Sequence, residues 1–138
     1  MRRTALKHLA LLGLTASAAS QSTRAMPVEP RLLGSWVSDR EKTLALWRFR
    51  PEASSETRDK VAALFGQLRL TFTATDVRAT QGGTESVHPY RVLASDGRSV
   101  VLETTVDGGR VLEQVFFEGD YCYKLAGYNL EYFRRTVA

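Results

Sequence analysis

The second half of this chain alternates apolar and polar residues with a period of two, and tight turns interrupt the alternation. Leu68, Leu70 and Phe72 share one face of such a strand, and threonines lie between and after them. Turn sequences follow at residues 81–83, 95–97, 107–109 and 118–120. Short strands at intervals of about 8–12 residues are typical of an antiparallel meander. We therefore predict a mainly β fold, an antiparallel up-and-down barrel of about eight strands whose closure removes free strand edges.

A helical insertion is predicted after the first strand, which we place at residues 32–37. Asp39 can cap a short helix that runs to Trp47, although the same residues also alternate as a strand. Ser54 or Ser55 then caps a second helix. Its apolar residues recur at helical spacing and its stop signal is Gly66, with the apolar face made of Val61, Leu64, Phe65 and Leu68. We expect this one- or two-helix insertion to lie near one end of the barrel as a lid or plug.

The N-terminal residues predict a secretory signal peptide. A basic start containing Arg2, Arg3 and Lys7 precedes the short apolar run 9–14, and small residues follow. The run is too short for a transmembrane helix, and no cysteine lies near the cleavage sites, so no stable membrane anchor is expected. The paired arginines fit either a twin-arginine signal or an ordinary Sec signal. Both routes predict a periplasmic or secreted protein.

Cleavage fits after Ala18 or after Ala25. Taking the second site, we predict a signal peptide at residues 1–25, a flexible leader at 26–31 and a single barrel domain at 32–138. Four of the 19 Lys and Arg residues lie in the signal peptide, and none of the 15 Asp and Glu residues does. The remaining chain carries fifteen of each and no net charge. The high pI therefore belongs to the signal peptide, and nucleic acid is not an expected partner.

Motifs of the common enzyme classes are missing from the sequence. It has no G-x-S-x-G elbow, no G-x-G-x-x-G and no phosphate-binding loop. His88 is the single histidine after the signal peptide, and Cys122 is the single cysteine, which favours a buried, unpaired thiol. Glu103 and Glu113 lie on neighbouring predicted strands, where a solvated outer face is the simplest interpretation. We predict a protein that is not an enzyme and has no metal or cofactor.

Gly34 and Trp36 form a G-x-W motif at the start of the meander, and Arg134 and Arg135 lie in the last predicted strand. This arrangement resembles the lipocalin and calycin barrels. The resemblance implies that the Trp packs across the closed end of the barrel against an Arg from the last strand, a cation–π contact. The two arginines point to opposite faces of their strand, so only one can make this contact. We choose Arg134, which shares a face with Tyr132.

The chain as a whole is also similar to small exported bacterial proteins without an assigned function. They share an early Trp-x-Ser-Asp-x-x-x-Thr segment, here at residues 36–43, and a Glu-Tyr-Phe-Arg-Arg end, here at residues 131–135. Lipocalins are usually longer and carry their helix after the barrel. The shorter chain leaves two alternatives open, a small cavity or an interior filled by side chains.

Two non-catalytic functions remain open from the sequence, whereas an enzyme would have only His88, Cys122 and the strand carboxylates to use. The first is a non-catalytic barrel that binds a small, mostly apolar ligand in its mouth, and the second is a periplasmic interaction module, such as an inhibitor or assembly factor, that works through its surface. Exposed Leu46, Trp47 and Phe49 would favour the second. The candidate ligand-binding residues are aromatic or lie beside an aromatic residue in a predicted strand: Trp47, Phe72, Tyr90, Arg91 and Tyr123.

Overall fold

Eight antiparallel strands pair in chain order and close into a barrel in the computed structural model, which describes residues 27–137. The predicted signal peptide lies outside the described residues. The strands are β1 Gly34–Ser38, β2 Arg69–Phe72, β3 Asp76–Gln81, β4 Thr84–Ser95, β5 Ser99–Val106, β6 Gly109–Glu118, β7 Tyr121–Ala126 and β8 Asn129–Arg135. Two helices follow β1, α1 Arg40–Leu46 and α2 Ser55–Ala63. The predicted fold class, a mainly β barrel of about eight strands with a helical insertion after the first, is confirmed.

The two ends of the barrel differ in what covers them. The end that we call the mouth carries the turns β3–β4, β5–β6 and β7–β8 together with the helical insertion. The opposite end, the floor, carries the other turns and the segment before β1. At the mouth, Gly82 and Gly83 both have positive φ angles, of 56° and 82°, which the predicted glycine turn supplies without steric cost.

The turn between β2 and β3 uses threonine instead of glycine. The backbone N–H of Thr73 donates to the carbonyl of Asp76 at 2.9 Å, and its hydroxyl accepts from the N–H of Asp76 at 3.1 Å. A side chain that bonds the nearby backbone in this way forms a turn without a glycine or proline. The sequence pattern suggested an uninterrupted alternation here, and the turn ends β2 at Phe72.

Helix α1 begins where the sequence predicted it. Asp39 is its N-cap and accepts from the N–H of Lys42 at 3.0 Å. The helix lies beside β8 beyond the end of β1, where the fully buried hydroxyl of Thr43 accepts from the backbone N–H of Tyr132 at 3.0 Å. The ammonium of Lys42 lies 5.1 Å from the centre of the Tyr132 ring. This outer cover buries Tyr132 although the side chain points away from the barrel interior.

Helix α2 is capped by Ser54 as predicted, but it ends at Ala63 and buries no residue. The predicted apolar face of α2 is therefore wrong. Leu64 is exposed, and Phe65 lies beyond the helix, where it packs on Trp47 with 4.9 Å between ring centres. The insertion lies at the mouth of the barrel. No helix in residues 27–137 is long and apolar enough to span a membrane.

Candidate ligand cavity

The floor of the barrel is sealed by Trp36, which is 1% exposed. Its indole N–H donates to the carbonyl of Leu32 at 2.9 Å, and Leu32 is itself fully buried below it. The guanidinium of Arg135 lies 4.1 Å from the centre of the indole ring and donates to the carbonyls of Leu33 and Arg31. The predicted Trp–Arg contact therefore exists, and it ties the segment before β1 to the last strand.

The choice of Arg134 for that contact is wrong. Trp36 pairs directly with Arg135 across the β1–β8 ladder, and directly opposed residues point to the same face. Arg134 points outwards, with its side chain 58% exposed and its guanidinium 4.0 Å from the carboxylate of Asp39. Tyr132 shares the face of Arg134, as predicted, but that face is covered by α1 and is not the interior.

Residues 29–31, which the sequence analysis placed in the leader, contact the floor of the barrel. Glu29 is buried, and its carboxylate accepts from the guanidinium of Arg31 at 2.7 Å. This hydrogen bond lowers the pKa of Glu29. Arg31 also donates to the carbonyl of Asp96 at 2.8 Å and lies 4.7 Å from the centre of the Phe117 ring. These contacts fix the segment across the closed end.

The glycine of the G-x-W motif is required by the same arrangement. Gly34 has a φ of 109°, a backbone conformation that residues with a Cβ rarely adopt. A Cβ at this position would also lie 3.3 Å from the guanidinium of Arg135. The motif and the terminal arginine therefore form one structural unit.

The mouth half of the interior is open and holds a cavity of about 190 Å³. Its walls are mostly apolar because most inward-facing residues of β2, β3, β5 and β6 at this level are aliphatic or aromatic. The apolar lining consists of Leu68, Leu70, Phe72, Val77, Ala79, Leu102, Val106 and Val111, and the polar lining of His88, Thr104, Glu113 and Lys124. The arrangement offers a compact apolar space with a few polar groups at one side, which is how small-molecule sites are usually built.

The polar side of the cavity centres on an ion pair inside the barrel. The ammonium of Lys124 lies 3.5 Å from the carboxylate of Glu113 and 5.6 Å from the centre of the Phe133 ring. Glu131 pairs with Lys124 across the β7–β8 ladder and accepts a hydrogen bond from the hydroxyl of Ser38 at 3.1 Å. Burial raises the pKa of Glu131.

His88 and Cys122, the two side chains that an enzyme could use, have surroundings that fit a structural role. The Nε2 atom of His88 lies 3.1 Å from the hydroxyl of Ser86, at the cavity wall. Cys122 points into the core and is 4% exposed, and burial raises its pKa to about 12. The thiolate form is thus strongly disfavoured, which agrees with the predicted buried thiol. Within residues 27–137, no three His, Cys, Asp or Glu side chains converge as a metal site would require.

The structure does not bring the five predicted ligand-binding residues together. Phe72 lines the cavity, and Tyr90 packs edge-on against it at 5.5 Å with its hydroxyl bonded to the backbone of Thr73. Trp47 lies outside the barrel, against Phe65. The five residues therefore do not share one cavity, and of them Phe72 lines it.

Arg91 and Tyr123 point away from the interior. The guanidinium of Arg91 pairs with the carboxylate of Glu103 at 2.9 Å on the outer surface. Tyr123 stacks on Phe116 at 5.1 Å, in an aromatic row on the outer face that continues to Tyr132. Each residue lies between inward-facing neighbours in its strand. The charge of Arg91 and the aromatic ring of Tyr123 did not show which face of the strand each side chain occupies.

Glu113 and Lys124 are the site residues that the sequence analysis missed. Glu113 was assigned to a solvated outer face, but it shares the inward face of β6 with Val115. Lys124 shares the inward face of β7 with Cys122. The period-two alternation carries this signal, since each charged residue is two positions from a buried one.

Two wider clefts lie on the outer surface. One, of about 540 Å³, is mostly polar and lies beside the start of α1 and Arg134. The other, of about 580 Å³, separates the α1–α2 loop at Trp47 from the β7–β8 turn at Tyr128. Both are more open to solvent than the cavity in the barrel, so we take that cavity as the candidate site.

No family model matches the chain, and neither a curated protein nor a solved structure shows significant similarity to it. The cavity and its surroundings are therefore the basis for a functional proposal.

Proposed function

We propose that this protein is an exported, non-catalytic barrel that binds a small, mostly apolar ligand in the cavity at its mouth. The observation that carries the proposal is the contrast between the two halves of the interior. The floor half is filled and sealed by Trp36 and Leu32, whereas the mouth half keeps about 190 Å³ free between apolar walls. Packed interiors leave few voids larger than a water molecule, so a space of this size exceeds what ordinary packing leaves empty.

The size of the cavity limits the ligand. A protein cavity of about 150 Å³ lined by apolar side chains holds benzene, whereas drug-sized ligands need about 300–1,000 Å³. The cavity of about 190 Å³ therefore suits a molecule of one ring or a short chain. A long lipid does not fit within it.

The state of the polar groups supports a binding role over a catalytic one. Lys124 is paired with Glu113, Glu131 accepts from Ser38, and burial keeps the Cys122 thiol protonated. A nucleophile or general base needs a free, activated partner within hydrogen-bond reach. Groups that are already paired serve better to orient a ligand.

Export follows from the signal peptide predicted at residues 1–25. Cell fractionation with an antibody to the barrel, followed by mass measurement of the mature chain, tests it. A periplasmic or secreted chain that begins after Ala18 or Ala25 is expected. A chain in the cytoplasm that retains residues 1–25 would contradict the export part of the proposal and leave the cavity unaffected.

Filling the cavity tests ligand binding. Ala79 lines the cavity, and its neighbour Thr80 points to the other face of β3. We expect Ala79→Met to abolish binding of toluene, measured by chemical-shift perturbation and calorimetry, because the larger side chain occupies the free volume. The matched control Thr80→Met should bind as the wild type does. Equal binding by both variants, or no binding of any compact apolar probe by the folded wild type, would refute the proposal.

An alternative function is a periplasmic interaction module, and one observation favours it. Leu112 and Leu125 are 65% and 68% exposed and line the same shallow groove on the outside of β6 and β7. Exposed apolar residues that cluster in this way often mark protein contacts. A pull-down from periplasmic extract tests it, since a specific partner should be lost with the double variant Leu112→Ser, Leu125→Ser and kept with Val87→Ser, an exposed apolar residue on β4.

A further inference from the structure

The barrel wall has a lateral gap between β6 and β7. Their ladder contains only the pairs of Phe116 with Tyr123, Phe117 with Cys122 and Glu118 with Tyr121, all near the floor. Towards the mouth, residues 109–115 of β6 pair with β5 alone, and residues 124–126 of β7 pair with β8 alone. The two strands therefore diverge over the level of the cavity.

Two side chains at the gap contact both the cavity and the outer surface. Glu113 and Lys124 line the interior cavity and also line the shallow groove of about 130 Å³ outside it. Leu112 and Leu125 flank the pair on the outside. The Glu113–Lys124 ion pair, at 3.5 Å, thus spans the place where backbone hydrogen bonds between β6 and β7 are missing.

The chemistry of the pair limits what can bind beside it. The carboxylate of Glu113 is an acceptor and the ammonium of Lys124 is a donor, and together they carry no net charge. An anionic ligand would compete with Glu113 for Lys124 and be repelled by Glu113, and a cationic ligand would compete with Lys124 for Glu113 and be repelled by Lys124. A neutral group that both donates and accepts can bond to both members without separating them.

We infer that the Glu113–Lys124 pair at the lateral gap is a subsite for the polar group of the ligand, and that the ligand is a compact apolar molecule with a neutral amide-like group. This inference rests on the proposed ligand-binding function. The apolar part would occupy the space beside Phe72 and Leu102, and the amide would donate to Glu113 and accept from Lys124. The gap gives this polar group access from solvent.

Four probes of one shape test the inference. At pH 7 benzamide is neutral and polar, benzoate is anionic and benzylamine is cationic. Toluene has no polar group. We expect calorimetry to show benzamide binding about tenfold more tightly than each of the others, because hydrogen bonds to charged groups favour it. Glu113→Gln should shift the preference towards benzoate, and Lys124→Met towards benzylamine.

The control is Glu85→Gln, which removes a carboxylate from the exposed pair with Arg78 on the outer surface. It should leave the order of the four probes unchanged. If toluene binds as tightly as benzamide, or if the order is the same in all variants, the subsite inference is overturned while the proposed binding function stands. If none of the four probes binds to the folded wild type, the proposed function fails, and the inference with it.

Discussion

Replacing Arg135 by methionine should destabilise the barrel far more than the same change at Arg134. The Arg135 guanidinium lies 4.1 Å from the centre of the Trp36 ring and donates to the carbonyls of Leu33 and Arg31. Methionine retains an apolar stem over the indole but removes the cation and both donors. The two carbonyls then lose their partners at the sealed end of the barrel.

The magnitude follows from these contacts. A hydrogen bond from a charged group contributes about 1.5–3 kcal/mol, and a partly desolvated cation–π contact about 1–2 kcal/mol. Contributions that share one side chain do not add fully. We therefore expect Arg135→Met to lower the free energy of unfolding by about 3–4 kcal/mol. For a domain of this size, that lowers the Tm by more than about 10 °C.

Urea unfolding of the mature chain, followed by Trp fluorescence, measures the effect, and Arg134→Met is the matched control. The Arg134 side chain is 58% exposed and its nearest carboxylate, that of Asp39, is at 4.0 Å, so its loss should change the free energy by no more than about 0.5 kcal/mol. Arg135→Lys should fall between the two variants, since it keeps the charge but loses the fork of donors. Equal destabilisation by the two methionine variants would refute the role assigned to Arg135.

Three further outcomes are expected. Gly34→Ala should lower the free energy of unfolding by about 1–3 kcal/mol, because the φ of 109° is strained for alanine and its Cβ would crowd Arg135; an unchanged urea midpoint would contradict this. The Cys122 thiol, with a pKa of about 12, should resist iodoacetamide at pH 8 in the native protein and react fully in urea; rapid native labelling would show that the core opens. Burial raises the pKa of Glu131 above its ordinary 4.5, so the native state binds this proton more tightly and loses stability as the pH rises above 4.5. Glu131→Gln should therefore gain stability relative to the wild type between pH 4 and pH 7, and a pH-independent difference in urea midpoints would count against that.

The barrel itself could be predicted because its signals are local. The glycine turns at residues 81–83 and 107–109 and the alternation between them specify antiparallel strands without knowledge of their partners. The β2–β3 turn was missed because Thr73 forms it through its hydroxyl, and threonine is equally common in strands. A turn held by a side chain has a weaker sequence signature than one held by glycine.

The orientation of the last strand could not be predicted, because it depends on which residue of β1 faces which residue of β8. Alternation correctly separated Arg134 from Arg135. It did not show which face is the interior, since Tyr132 is buried by α1 from outside whereas Phe133 is buried in the core. When both faces of a strand carry apolar residues, the difference in polarity no longer shows which face is the interior.

The polar side of the cavity escaped prediction for a related reason. A charged residue in an alternating strand is normally solvated, so Glu113 and Lys124 read as surface residues. Their inward position is tolerated because β6 and β7 diverge there and water reaches both side chains, which are 37% and 24% exposed. The missing ladder and the inward-facing ion pair are thus parts of one feature. The register of β6 against β7, which sequence periodicity does not report, decides both where the wall opens and where the cavity becomes polar.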